Sequence, residues 1–179
     1  MLSNILAIAT LFLTVSANPV AQGLPNLPPP TGSNYAWAVT GWTAKCTSPQ
    51  TNGDCRWSFD LKGNELTGYN PNVPGFTAHC AGSKYVYTDG VSGPEIPCAL
   101  TDGGTVRRRV TSNLWNPPDG AMEDGVTLRI TYQFESPDGA TWNYTARDIG
   151  GLDGRPGFAS DFHVRTILFE RSHSPISDQ

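Results

Sequence analysis

The stretch from Val126 to Glu135 constrains this chain more than any other. Val126, Leu128, Ile130, Tyr132 and Phe134 alternate with Thr127, Arg129, Thr131, Gln133 and Glu135. That period of two gathers five apolar side chains on one face of a strand, whereas a helix would scatter them around its surface. Ser136-Pro137-Asp138-Gly139 follows, a turn in which proline presets the first central backbone angle and Asp-Gly tolerates the left-handed region. Trp142, Tyr144 and Ala146 then alternate on the way back, so the segment reads as a β-hairpin.

The same rhythm recurs along the chain. Tyr35, Trp37 and Val39 share one parity, and from Cys55 to Lys62 the residues Trp57, Phe59 and Leu61 oppose Arg56, Ser58, Asp60 and Lys62. Phe76, Ala78 and Cys80 continue the pattern after Pro74-Gly75, Tyr85 to Tyr87 is a short strand, and Val106 to Leu114 adds another. Phe162 to Glu170 carries apolar residues on both parities, as expected of a strand covered on both faces near its end. With 19 glycines and 15 prolines to punctuate them, about eight strands are expected. An all-β fold follows, an antiparallel β-barrel or a two-sheet β-sandwich, because closure protects the strand edges.

Met1 to Ala17 carries no charged side chain, is apolar from Ile5 to Val15 and ends in the small residues Ser16 and Ala17. These are the marks of a signal peptide, so the expected address is secreted and extracellular. Residues 18–33 hold Pro19, Pro25, Pro28, Pro29 and Pro30 and read as an extended leader. Residues 34–172 form the single β domain, and 173–179 are a C-terminal tail. No later run approaches the roughly 18–20 apolar residues of a membrane-spanning helix, so no transmembrane segment is expected. Twelve Lys and Arg against 16 Asp and Glu leave a net charge of −4, the wrong sign for a nucleic-acid partner.

Cys46, Cys55, Cys80 and Cys98 are the only cysteines. An even number in a chain bound for an oxidising compartment points to disulfides. A zinc site would want a short Cys-x-x-Cys pair and spaced histidines, which are missing, so no metal and no cofactor are expected. Cys46 ends one alternating run and Cys55 opens the next, so their bridge would clamp the mouth of a hairpin; elimination then leaves Cys80 with Cys98. Crossed pairing stays open at this point.

Read in order, YAWAVTGWTAKC, CRWSFDLKG, GFTAHCAG and IPC resemble the small cysteine-containing secreted proteins of filamentous fungi, in particular the Alternaria major-allergen type of β-barrel. Tyr35 and Trp37, then Phe59, then Phe76, Thr77 and Cys80, then Cys98 fall in the matching order, over residues 35–98. The allergen type has a second bridge in its C-terminal half, where this chain has no cysteine. The resemblance implies a fungal extracellular protein of effector or elicitor type, acting at a host surface without known catalysis.

Catalytic residues cannot be singled out. His79 reads as a surface residue, and His163, with Asp60 or Asp161 as a spatial partner, lacks a nucleophile setting. A glycosidase needs two carboxylates across a cleft, and Glu65, Glu95 and Glu135 offer no evident pair. Binding candidates are clearer. Trp37, Trp57 and Trp142 sit on apolar parities and read as core, but Trp42 and Trp115 are less constrained and would stack on sugar faces or anchor a partner if exposed. In Arg107-Arg108-Arg109 the middle residue points opposite to its neighbours, leaving Arg107 and Arg109 for an anionic surface or for a solvated strand edge. Asn143-Tyr144-Thr145 is a glycosylation sequon whose asparagine faces outward if Trp142 and Tyr144 face in. The expected function is a secreted, non-enzymatic effector that binds a host extracellular protein or a cell-wall polysaccharide. The alternatives are a carbohydrate-binding or lectin-like protein, and a small hydrolase using His163 or Glu135.

Overall fold

Two meanders of antiparallel strands, joined edge to edge, build the molecule. The computed structural model describes residues 27–46, 54–85, 95–115, 125–154, 158–172 and 175–176. Among them are nine strands and no helix: β1 Gly32–Cys46, β2 Asp54–Gly63, β3 Phe76–Tyr85, β4 Ile96–Pro97, β5 Ala99–Leu100, β6 Arg108–Trp115, β7 Val126–Glu135, β8 Thr141–Gly150 and β9 Phe162–Arg171. The sheet order is β4-β6-β7-β8-β9-β1-β2-β3-β5, so β9 pairs back onto β1. The strands form one nearly closed barrel, not a sandwich.

Closure is completed by β4 and β5, the two halves of one short segment. Ile96 and Pro97 pair with Ser112 and Thr111 of β6, then Ala99 and Leu100 pair with His79 and Ala78 of β3. Between them the Cys98 N–H donates to Val110 O at 2.9 Å while its sulfur is bonded to Cys80. The segment zips β3 to β6. The alternation does not reveal this segment: its eight strands include Tyr85 to Tyr87, but Tyr85 is the last residue of β3 and residues 86–87 lie outside the described residues, while β4 and β5 are two additions.

Even-numbered residues of β7 point inward, from Val126 to Phe134, and none is more than 1% exposed. They meet Trp37, Val39, Phe59, Leu61, Phe76, Tyr144 and Val164 from the other strands. A barrel of this size is filled by its own side chains. Tyr132 stacks on Phe76 with ring centroids 4.1 Å apart, and Trp37 meets Phe76 edge-on at 5.3 Å. Burial also lifts the Tyr35 phenol to about pKa 12 against the favourable contact of Trp37.

Two strands depart from simple alternation. In β1 the register shifts between Thr40 and Thr43, and Gly41 adopts φ +62°, which only glycine does without penalty. The inward parity changes there from Tyr35, Trp37 and Val39 to Trp42 and Ala44. Asp161 Oδ1 accepts the Gly41 N–H at 3.0 Å, and Ser160 O accepts the Trp42 N–H at 2.8 Å. In β9 a second shift lies opposite Thr145 and Ala146. Phe169 turns inward onto Trp142, while Ile167 and Leu168 are exposed. The expectation that β9 is covered on both faces is therefore wrong; its mixed parity records a bulge.

The leader is not wholly separate from the body. β1 begins at Gly32, Tyr144 donates its hydroxyl to Pro30 O at 3.1 Å, and the Asn70 N–H donates to Leu27 O at 3.1 Å. Both disulfides are the hairpin-local pairs, Cys46–Cys55 and Cys80–Cys98. Their roles differ. The first clamps adjoining strands, the second holds the seam. Replacing Cys80 and Cys98 by serine is expected to cost about 3 kcal/mol and to unprotect the Cys98 and Thr101 amides in hydrogen exchange. The Cys46→Ser, Cys55→Ser variant should lower the melting temperature with those two amides still protected; equal protection in both variants would contradict the seam assignment.

Candidate functional site

Three described connections meet at one end of the barrel: residues 64–75 between β2 and β3, 101–107 between β5 and β6, and 136–140 between β7 and β8. Each is locally specified. Gly139, at φ +78°, donates to Ser136 O at 2.8 Å, and Leu66 and Val73 exchange both backbone bonds at 2.9 and 3.0 Å. Asn72 Oδ1 accepts the Gly68 N–H at 3.0 Å. Between these connections lies an open cavity of about 670 Å³ lined by Glu65, Asn72, Pro74, Thr105, Val106, Arg107, Glu135, Ser136 and Pro137. That size falls within the range of small-ligand sites.

The barrel is sealed next to this cavity. Arg108 points inward from β6 with its side chain 4% exposed. Its guanidinium donates to both Asp102 oxygens at 2.9 and 2.7 Å and to Gly75 O at 2.5 Å. Tyr132 donates its hydroxyl to Pro74 O at 2.9 Å. Burial alone would raise the Asp102 carboxyl, but hydrogen bonds from Arg108 and from the Thr77 and Gly104 amides, with the Arg108 charge, hold it below its ordinary value. A buried guanidinium needs such a partner, since an unpaired buried charge is costly.

Arg107 and Glu135 face each other across the cavity wall. Arg107 Nη1 lies 4.0 Å from Glu135 Oε2, with both side chains part-exposed, and Arg107 O accepts the Glu135 N–H at 3.0 Å. The backbone bond fixes the two residues in register. An ion pair this open is worth less than about 1 kcal/mol, so a polar ligand competes with it at small cost. Glu65 lines the same cavity, a juxtaposition of carboxylates that sequence spacing does not reveal.

The residues singled out in the sequence fare differently. Trp42 is fully buried, packed at 5.5 Å from Phe59 and 5.7 Å from Phe162, with its Nε1 donating to Gly151 O at 2.8 Å. A Cβ on Gly150 would come within 2.4 Å of its ring. Trp42 is thus a core residue and offers no face to a ligand; the Gly41 bulge turns it inward. Trp115 ends β6 opposite Thr127, and its side chain lies outside the described residues. Arg109 stands on β6 opposite Gln133 and does not line the cavity. Arg108, between them, is the buried plug and not part of a solvated edge.

Asn143 lies between Gln133 and Glu170 on neighbouring strands, on the outward parity required of the sequon. It is half-buried, and its Oδ1 is enclosed without a hydrogen-bond partner. His79 is exposed and pairs with Asp60 at 2.8 Å. His163 is exposed opposite Ala38. The carboxylates expected beside it are occupied elsewhere, Asp60 by His79 and Asp161 by the Gly41 amide. A second hollow of about 310 Å³ is lined by Thr43, Lys45, Arg56, Trp57, Ser58 and Asp153. Among the described residues no three of His, Cys, Asp or Glu converge to hold a metal ion.

No protein family, curated protein or solved structure matches this chain.

The Arg108–Asp102 pair sets a pH dependence. Because the folded carboxyl titrates below its ordinary value near 3.9, it stabilises the fold above about pH 4, and that contribution is lost as pH falls through the folded value. Asp102→Asn should cost about 3 kcal/mol at neutral pH by stranding the guanidinium and should flatten the acid limb of a plot of melting temperature against pH. An unchanged acid limb would show that other carboxylates govern it.

Proposed function

We propose that this chain is a secreted, non-enzymatic binding protein of the effector or elicitor type, which takes a host or cell-wall component at the cavity end of its barrel. The open cavity beside a sealed barrel end carries this reading. It sets Arg107, Glu135, Glu65 and Asn72 around the apolar surfaces of Pro74, Val106 and Pro137, the mixture of orienting polar groups and apolar walls that small-ligand sites use. Two disulfides suit an oxidising compartment, and no helix among the described residues is long and apolar enough to cross a membrane. The fungal origin in this reading rests on the sequence resemblance alone.

One observation favours a second reading. Glu65 and Glu135 line one cavity, and paired carboxylates are the machinery of glycoside hydrolysis. A carbohydrate-binding role that stacks sugar on Trp42 has lost its platform, and among the described residues no aromatic side chain lines the cavity. A sugar held there would be held by hydrogen bonds.

Incubating the folded protein with insoluble wall polysaccharides, and with host extracellular proteins immobilised on beads, separates the two. The expected result is retention on one of these without release of reducing sugar, weakened at least tenfold by Arg107→Ala or Glu135→Ala. Both side chains are part-exposed, so stability should change by no more than about 0.5 kcal/mol. Sugar release that disappears in Glu65→Gln or Glu135→Gln would replace the binding reading by a hydrolase. Retention indifferent to Arg107 and Glu135 would move the site away from the cavity.

A further inference from the structure

The strand register places three arginines in one line on the outer wall. Arg129 of β7 pairs with Arg147 of β8, and Arg147 pairs with Arg165 of β9. All three have outward parity, since their neighbours Leu128, Ile130, Ala146, Val164 and Thr166 are buried inside. Partners directly opposite each other lie about 5 Å apart, so the line crosses the strands with a positive group at each step. Arg147 and Arg165 are exposed and Arg129 is half-exposed.

Like charges directly opposite on a sheet are destabilising, and here the juxtaposition occurs twice in succession in a chain whose net charge is −4. General basicity does not account for it. At the β9 end of the line Asp148 Oδ2 lies 3.9 Å from Arg165 Nε. Glu95, on the adjoining row, accepts the hydroxyls of Thr111 and Thr131 at 2.8 and 3.1 Å. Exposed aliphatic side chains flank the line, Ile149 on one side and Ile167 and Leu168 on the other.

We propose that Arg129, Arg147 and Arg165 form a docking line for a linear acidic polysaccharide bearing one carboxylate per sugar. The row spans about 10 Å in two steps, on the order of two sugar units, so carboxylates on the near side of an extended chain fall within reach of its guanidinium groups, which bind carboxylate through two parallel N–H groups. The flanking aliphatic groups suit the apolar faces of sugar rings. The row crosses three strands on the convex outer wall of the barrel, a surface that offers an extended polymer contact along its length and gives a compact ligand no enclosure. The proposal deepens the binding reading above by naming a substrate class, and it rests on that reading for the extracellular setting in which such a polymer is met.

The test uses the full disulfide-bonded chain and polygalacturonate as the probe, with the fully methyl-esterified polymer as the uncharged control. Phosphatidylserine vesicles and duplex DNA serve as other anionic surfaces. Polygalacturonate is expected to bind, the esterified polymer to bind at least tenfold more weakly, and added salt to weaken the interaction. Arg129→Ser, Arg147→Ser, Arg165→Ser in one variant should reduce affinity at least tenfold and leave the melting temperature unchanged or higher. Lys45→Ser, Arg56→Ser, Lys62→Ser removes the same charge elsewhere on the wall and should change affinity less than twofold. Equal losses in the two triple variants would reduce the effect to net charge and overturn the line. Tighter binding to the vesicles or to DNA would overturn the polysaccharide. If polygalacturonate fails but retention that depends on Arg107 and Glu135 persists, the line alone is refuted; if neither is seen, the binding reading falls with it.

Discussion

The segment from Ile96 to Leu100 is too short to be a strand in its own right, yet both edges of the sheet end on it. Its first half completes the hydrogen bonding of β6 and its second half that of β3, with Cys98 at the crossing. Without that segment the molecule would be an open sheet with β3 and β6 as bare edges, exposed to pairing with other chains. It would also lose its interior, because the Phe76–Tyr132 stack joins β3 to β7 across the barrel. The disulfide and the local backbone pairing contribute differently to closure. Pairing supplies direction, and the covalent bond keeps two short ladders from fraying independently.

Arg108 extends the same closure to the barrel end. It leaves β6, binds Asp102 just after β5, and reaches the carbonyl of Gly75 just before β3. One side chain thus ties together the three segments that meet at the seam. The cavity lies beside this knot, with Arg107, the residue before the plug, on its wall. Structure and prospective ligand therefore share a few residues of chain. Alternation separates them, since neighbouring residues of a strand point to opposite faces.

Strand existence was legible wherever one face was apolar and the other polar, as in β2 and β7. The bulges were not. Nothing in Gly41 followed by Trp42 announces that the inward parity changes there, because both residues are compatible with a regular outer position; the change depends on Asp161 and Ser160, far along the chain. The β9 bulge leaves a trace, apolar residues on both parities. That trace has two physical sources, cover on both faces or a shift of register, and the second operates here. Arg108 was legible in principle, since it shares the parity of Val110 and Leu114. A guanidinium on a core face implies a carboxylate partner, though not that the partner is Asp102.

The arginine line was illegible for a different reason. Arg129, Arg147 and Arg165 sit in separate strands, each as one polar residue on an ordinary outward face, and none belongs to a charge run. The run that does stand out, residues 107–109, is divided by alternation between cavity wall, barrel interior and outer face. Sequence clustering and spatial clustering of charge are thus opposed in a sheet: neighbours along a strand are separated by the pleat, while partners across strands are brought within about 5 Å. A surface for a polyanion on a β-barrel therefore has to be sought across the register. A chain with net negative charge can still carry one without broadcasting it in its composition.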